Sequence, residues 1–144
     1  MTAMEFKSQA GPSFGNNFNN RSEEAIGSAT DIWVAYREGR FGETPPPFLG
    51  YFFLLEDCER VKKPVRNKEP YFKVDPAFDR ASYSKRYELL CRRLVLERVY
   101  TAACLVMATN APNTEITQPA EDLTFKRFVA ALRGYVVTFL GSQK

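Results

Sequence analysis

The sequence predicts an α/β fold in which a mixed β-sheet is flanked by helices. A helical stretch at residues 21–38 separates two stretches of strand character, which is the pattern of a βαβ unit with parallel strands. The second strand, 48–55, is apolar on both faces, as is typical of a strand covered on both sides. With 144 residues, 44% of them hydrophobic and 14% aromatic, the chain can bury the core of one domain.

The first strand is predicted within residues 1–9, Met-Thr-Ala-Met-Glu-Phe-Lys-Ser-Gln. Strand side chains repeat every two residues, so Glu5 and Lys7 share one face. Phosphodiester hydrolysis uses a carboxylate that holds a divalent metal and a lysine that orients water and offsets negative charge. The alternative is an ion pair on a solvated face of the sheet. Glu5 and Lys7 are therefore candidate catalytic residues, and Glu5 is the candidate metal ligand.

Residues 10–20 are predicted to form a loop, because Gly11-Pro12 ends the strand. The loop is rich in asparagine, whose amide matches the adenine edge in the major groove and also binds phosphate oxygens. Asparagine is equally a common turn and capping residue, and both interpretations stay open. The candidate DNA contacts here are Asn16, Asn17, Asn19, Asn20 and the following Arg21.

The first helix is predicted from about Arg21 to Glu38, with Asn20 as its N-cap and Gly39 as its stop. Its apolar stripe, at three- and four-residue steps, consists of Ala25, Ile26, Ala29, Ile32, Trp33 and Tyr36. Glu23 and Glu24 would lie in the first turn, where acidic side chains suit the helix dipole. The alternative for Glu24 is an approach to the metal.

A loop at 40–47 leads to the strand at 48–55, and a charged stretch follows at 56–69. Such a stretch is usually a solvated loop. If the partner is DNA, however, Lys62, Lys63 and Arg66 become candidate phosphate contacts that are blind to sequence and sensitive to salt. A short strand is predicted at 71–74 and a turn at 75–81.

The second half of the chain predicts a helix at 82–99, a strand at 100–109 and a last helix from about 117 to 140. The helix at 82–99 has an apolar face and a strongly basic face, which could meet a polyanion. The long apolar and aromatic stripe of the last helix must dock either on the sheet or on a second subunit.

Several classes of site are excluded by composition. The chain contains no histidine, so it cannot by itself form a Ser-His-Asp or Cys-His catalytic site or a histidine-ligated zinc site. Cys58, Cys91 and Cys104 are widely spaced, so neither a metal knuckle nor a disulfide framework is indicated. No signal peptide or membrane span is recognisable, and a cytoplasmic location is expected. A net charge of +3 permits a nucleic-acid partner without requiring one.

Several long strings resemble the XhoI family of type II restriction endonucleases. They are Glu-Phe-Lys-Ser-Gln at 5–9, Gly-Pro-Ser-Phe-Gly-Asn-Asn-Phe-Asn-Asn-Arg at 11–21, Glu-Glu-Ala-Ile-Gly-Ser-Ala at 23–29 and Tyr-Glu-Leu-Leu-Cys-Arg-Arg-Leu-Val at 87–95. The resemblance implies a nuclease core of the PD-(D/E)xK class and Mg²⁺-dependent cleavage of double-stranded DNA. It also implies a homodimer on a palindrome, for which CTCGAG is the natural guess. Glu5 matches the metal-binding acid of the family and Lys7 its catalytic lysine.

The resemblance also implies elements that the sequence does not supply. The second metal-binding acid of this class is an aspartate on the strand before the Glu-x-Lys strand, and residues 1–4 contain none. A helix and two strands are expected upstream as well. We therefore expect residues 1–144 to form a single, N-terminally truncated nuclease domain. The alternative is a catalytically inactive fragment that binds DNA or pairs with a separate N-terminal half.

Overall fold

The computed structural model describes residues 1–69 and 71–142. Two short 3-10 turns, at Pro76–Phe78 and Glu121–Leu123, accompany the helices and strands. In chain order the helices and strands are β1 (Thr2–Gln9), α1 (Phe14–Arg37), β2 (Phe48–Glu56), α2 (Glu59–Lys62), α3 (Tyr83–Leu96), β3 (Ala102–Ala108), β4 (Ile116–Thr117) and α4 (Phe125–Gly141). The predicted α/β class is confirmed.

The strands form one mixed sheet in the order β1-β2-β3-β4. β1, β2 and β3 are parallel, and β4 is antiparallel to β3. The parallel pairing of β1 with β2 confirms the predicted βαβ unit. It sets Glu5 opposite Tyr51 and Lys7 opposite Phe53. Within the described residues β1 pairs on one side only, so its outer edge is open.

Two apolar cores cover the sheet, one on each face, and β2 contributes to both. Leu49, Tyr51 and Phe53 face α1 and α3, whereas Phe48 and Phe52 face α4. A strand buried on both faces has no polar positions to alternate with apolar ones. This explains the unbroken apolar run that predicts β2. Ala3, Glu5 and Lys7 of β1 are paired with the β2 residues that face α1, which positions the candidate catalytic pair beneath that helix.

The predicted loop at 10–20 is wrong over most of its length, because α1 begins at Phe14 with Ser13 as its N-cap. Phe14 and Phe18 are one helical turn apart, and their rings pack on Tyr83 and Tyr87 of α3 at 5.8 and 5.1 Å. This packing outweighs the poor helix propensity of the asparagines between and beyond them. Asn20 is therefore an interior helical residue and not an N-cap.

Three further predictions of local structure need correction. Residues 71–74 form no strand; Tyr71 and Phe72 are nearly fully exposed, and the Val74 N–H donates to Glu69 Oε1 instead of to a neighbouring strand. The charged stretch at 56–69 contains the short helix α2. The last helix begins at Phe125 and not near 117, because Thr117 belongs to β4, a two-residue strand too short to give a sequence signal.

Helix α4 docks on the sheet with only part of its apolar stripe. Phe128 is buried against Phe48 and Phe52, and Leu132 and Tyr135 pack at the border of this core. Other members of the stripe, Phe125, Val136 and Leu140, remain substantially exposed. In the part of the chain that the structure describes, no helix is both long and apolar enough to cross a membrane.

Candidate active site

Glu5 and Lys7 lie on the same face of β1, as their spacing predicts, and their charged groups meet. Lys7 Nζ lies 3.2 Å from Glu5 Oε1. Both side chains are half-buried, with 25% of the Lys7 side chain and 15% of the Glu5 side chain exposed. The pair therefore lies in a partly desolvated hollow between β1 and α1, where charge interactions are stronger than on an open surface.

Helix α1 supplies a second carboxylate to Lys7. Glu24 Oε2 lies 3.0 Å from Lys7 Nζ and 2.7 Å from an Arg21 guanidinium nitrogen. Because α1 begins at Phe14, Glu24 is not in the first turn, and the predicted dipole role of Glu23 and Glu24 is wrong. The hydrogen bond to Glu24 is the largest of the influences that raise the pKa of Lys7. The bond from Arg21, followed by that from Lys7, lowers the pKa of Glu24.

Tyr100, in the turn between α3 and β3, reaches Glu5 from the other side. Its hydroxyl contacts Glu5 Oε2 and lies 3.0 Å from the carbonyl oxygen of Ala25 in α1. Burial, and then the contact with Glu5, raises the pKa of Tyr100, so the hydroxyl is a neutral donor at ordinary pH. A pocket of about 250 Å³ opens at this point, lined by Glu5, Lys7 and Tyr100 together with apolar residues of β1, α1 and β2.

The oxygen atoms at this site fit a divalent cation of the magnesium type. Glu5 Oε1 is buried, and its neighbour among the described residues is the Lys7 ammonium at 3.2 Å. Residues 1–69 and 71–142 contain no group of three or more acidic, cysteine or histidine side chains that could hold a metal. Mg²⁺ commonly binds through one or two carboxylates and completes its shell with waters and substrate phosphates. Glu5 supplies one such carboxylate at the edge of the pocket.

The asparagines that the sequence nominates as DNA contacts lie in the first two turns of α1. Asn16, Asn19 and Asn20 are exposed, whereas Asn17 is half-buried. Arg21 follows on the same helix and is half-buried, with its guanidinium on Glu24. The structure therefore joins Arg21 to the Glu5–Lys7 cluster, while the role of the asparagines stays a prediction.

The basic candidates that follow β2 fall into two groups. Lys62, at the end of α2, is paired with Asp57 at 2.5 Å, and this hydrogen bond raises the pKa of Lys62. Lys63 and Arg66 are exposed, and within the described residues neither has a carboxylate at ion-pair distance. Of the three predicted phosphate contacts, only Lys63 and Arg66 therefore present an uncompensated charge.

The basic face of α3 is largely neutralised within the molecule. Arg92 binds Asp122 through two nitrogens at 2.8 and 2.9 Å, and it also contacts Glu88. Arg93 is paired with Asp75 at 2.5 Å, and Lys85 with Glu88 at 2.6 Å. The expectation that this face could meet a polyanion is weakened by these pairings, which join α3 to the segments before and after it.

Comparison with known proteins matches the family described as Restriction endonuclease XhoI over residues 1–118. The type II restriction enzyme BstVI of Geobacillus stearothermophilus is 51% identical over 140 residues, covering 96% of this chain and 62% of the relative. The type II restriction enzyme XhoI of Xanthomonas vasicola is 57% identical over 97 residues, covering 67% of this chain and 39% of the relative.

This chain belongs to the XhoI restriction endonuclease family. The resemblance stated from the sequence is thereby confirmed. The chain spans less than two thirds of the length of the curated relatives that it matches. No solved structure is significantly similar to it. The XhoI family match includes β1, α1 and Tyr100, so the whole Glu5–Lys7–Tyr100 cluster falls inside the family region, whereas α4 lies beyond it.

Sequence reasoning missed one member of this candidate site and left another undecided. Tyr100 is separated from Glu5 by 95 positions and lies in an apolar stretch that predicts only a strand. No local pattern connects the two residues. Glu24 was open to two interpretations, and its spacing to Arg21 is a usable signal, because residues three apart on a helix can pair. Helical spacing cannot reveal the contact between Glu24 and Lys7, because Lys7 lies on β1.

Proposed function

We propose that this chain carries a Mg²⁺-dependent site for cleavage of double-stranded DNA, with Glu5 as the metal ligand and Lys7 as the catalytic cation. The observation that carries the proposal is the half-buried Glu5–Lys7 ion pair, in which Glu5 Oε1 lies 3.2 Å from Lys7 Nζ beside an open pocket. Membership of the XhoI family supports it. The proposal extends to a PD-(D/E)xK core and a homodimer that cleaves a palindrome, which we take to be CTCGAG.

The residues of the site have distinct proposed roles in cleavage. Lys7 is held between two carboxylates that raise its pKa, so it acts as an ammonium and not as a general base. Its protons can orient an attacking water and offset negative charge on the phosphate. When bound at Glu5, Mg²⁺ would supply Lewis-acid polarisation of the scissile phosphate. Lys63, Arg66 and the exposed asparagines of α1 are the proposed contacts to the DNA.

The test is cleavage of a duplex that carries one CTCGAG site, in the presence of Mg²⁺. Lys7→Ala and Glu5→Gln should each lower the rate at least about a hundredfold, because each removes a group that stabilises the transition state. Lys85→Ala is the matched control, since it removes an ammonium that is paired with Glu88 on the outer face of α3. Duplex binding in Ca²⁺ should persist in Lys7→Ala. Unchanged cleavage by Lys7→Ala would contradict the proposal.

A second candidate function is a catalytically inactive fragment that binds DNA or pairs with a separate N-terminal half. Two observations favour it: the outer edge of β1 is open within the described residues, and the same residues offer no third acid beside Glu5 and Glu24. An exposed strand edge readily accepts another strand. Salt-sensitive duplex binding without cleavage at any Mg²⁺ concentration would favour this candidate, whereas cleavage that depends on Lys7 would exclude it.

A further inference from the structure

We propose that Tyr100 is a positioning residue, whose hydroxyl holds the Glu5 carboxylate so that Oε1 is presented to Lys7 and the pocket. The inference rests on the proposed role of Glu5 as the metal ligand. Tyr100 belongs to neither β1 nor α1, which carry the other residues of the candidate site. It lies between α3 and β3 and contacts Glu5 from there.

The hydroxyl group has one hydrogen and two acceptors within reach. These are Glu5 Oε2 and the carbonyl oxygen of Ala25, which lies 3.0 Å away. A charged carboxylate is a stronger acceptor than a neutral carbonyl, so the hydrogen is donated to Glu5. One Glu5 oxygen is thereby committed to Tyr100. The other, Oε1, lies 3.2 Å from Lys7 Nζ.

Tyr100 can restrain Glu5 because Tyr100 is itself fixed. Its side chain is buried, and its ring packs on that of Tyr51 at 5.2 Å between centroids. Its backbone N–H donates to Leu94 of α3 at 2.9 Å. The carbonyl oxygen of the preceding residue, Val99, accepts a 2.9 Å hydrogen bond from Trp33 Nε1 of α1. Helices on both sides therefore hold the hydroxyl in place.

Loss of this hydroxyl should act on metal binding more than on folding. A carboxylate that has lost its hydrogen-bond partner can rotate, and both of its oxygens can then turn toward Lys7. Removal of such a supporting contact typically weakens metal binding about 10- to 100-fold. Tyr100→Phe deletes the hydroxyl and keeps the ring, so the packing on Tyr51 is retained.

The first experiment measures Mn²⁺ binding by electron paramagnetic resonance in wild type, Tyr100→Phe and Tyr51→Phe. Tyr51→Phe is the matched control, because it also deletes a buried hydroxyl, one that has no hydrogen-bond partner among the residues that the structure describes. We expect about tenfold weaker binding in Tyr100→Phe and unchanged binding in Tyr51→Phe. In cleavage assays the Mg²⁺ concentration for half-maximal rate should rise by the same factor in Tyr100→Phe, while the rate at saturating Mg²⁺ recovers. Equal affinities in all three proteins would overturn the inference.

A second experiment tests the contact without metal. The buried Tyr100 hydroxyl proton should give a slowly exchanging NMR resonance that is absent in Tyr100→Phe and shifted in Glu5→Gln. A resonance unmoved by Glu5→Gln would show that the hydroxyl donates to the Ala25 carbonyl oxygen, and it would overturn the inference. Mn²⁺ binding by the two variants distinguishes a failure of the proposed function from a failure of the Tyr100 inference. If Glu5→Gln binds Mn²⁺ as wild type does, the proposed function fails and Tyr100 loses its role with it. If Glu5→Gln loses Mn²⁺ while Tyr100→Phe keeps it, only the Tyr100 inference fails.

Discussion

Lys7 is the residue that ties the candidate site together, because it contacts the carboxylates of Glu5 and Glu24 at once. The hydrogen bond to Glu24 has the largest influence on the Lys7 pKa, ahead of the desolvation that opposes it and of the bond to Glu5. Glu24 is in turn held by Arg21. The arrangement indicates that Glu24 orients Lys7, and it leaves Glu5 as the carboxylate toward the pocket.

The substitution Glu24→Gln should therefore lower the pKa of Lys7 toward its ordinary value of 10.5 and leave Mn²⁺ affinity at the wild-type level. An NMR titration of the Lys7 ammonium measures the first effect. Glu23→Gln is the matched control, because Glu23 is an exposed acid on the same helix, and the carboxylates paired with Lys7 among the described residues are those of Glu5 and Glu24. A loss of Mn²⁺ affinity as large as that of Glu5→Gln would instead make Glu24 a metal ligand.

The pairing of Lys7 with Glu24 determines the direction in which the stability of the protein changes with pH. The Lys7 pKa is raised, so the stability that its contacts contribute is present below pH 10.5 and is lost as the pH rises through the raised value. The Glu24 pKa is lowered, so its contribution is present above pH 4.5 and is lost as the pH falls through the lowered value. The difference in stability between wild type and Glu24→Gln should accordingly disappear as the pH falls through the lowered Glu24 pKa. It should only decrease as the pH rises through the raised Lys7 pKa, because Arg21 stays charged and paired with Glu24.

Among the elements, α4 packs closely on the sheet at Gly50 of β2. A Cβ atom built on Gly50 would lie 2.7 Å from Phe128 Cζ and 3.1 Å from Cε2. The Phe128 ring cannot easily withdraw, because it is buried between Phe48 and Phe52. Glycine at position 50 thus allows the helix to seat on the strand, and any side chain there would force the two elements apart.

We expect Gly50→Ala to destabilise the protein by about 1–3 kcal/mol, the usual result of overpacking a core. Gly134→Ala is the matched control: it lies in α4 itself, and no atom of the described residues lies within 4 Å of a built Cβ, apart from those of its chain neighbours and the helix backbone. It should stabilise by about 0.5–1 kcal/mol, since alanine has the higher helix propensity. Urea unfolding measures both values. A neutral Gly50→Ala would show that α4 can shift on the sheet.

The elements also show what the sequence can and cannot predict. The two-residue spacing within one strand predicts that Glu5 and Lys7 share a face. The run at 48–55, which is apolar on both faces, predicts β2 as a strand covered on both sides. Both signals are local. The helical state of residues 14–20 depends on the contacts of Phe14 and Phe18 with α3, which is far along the chain. Tyr100 meets Glu5 across 95 positions, so its part in the site depends on the fold and not on any pattern.

At the scale of the whole molecule, the arrangement of charge matters more than its sum. The net charge is +3, but many basic side chains are neutralised internally, among them Lys62, Arg92 and Arg93. Lys63 and Arg66 are exposed and project from the segment that follows β2. If the chain binds DNA, these two residues should contribute to the electrostatic attraction, and the paired arginines of α3 should contribute little.

Salt dependence of duplex binding can separate these two sets. Each phosphate contact contributes about 0.9 to the slope of log K against log salt, so Lys63→Ala with Arg66→Ala should reduce that slope by about 2. The double variant Arg92→Ala with Arg93→Ala is matched to it, because it removes the same two charges but from ion pairs with Asp122 and Asp75. Its slope should stay close to that of wild type. An equal reduction of the slope in both double variants would mean that duplex binding depends on net charge alone. Lys63 and Arg66 would then not be specific phosphate contacts.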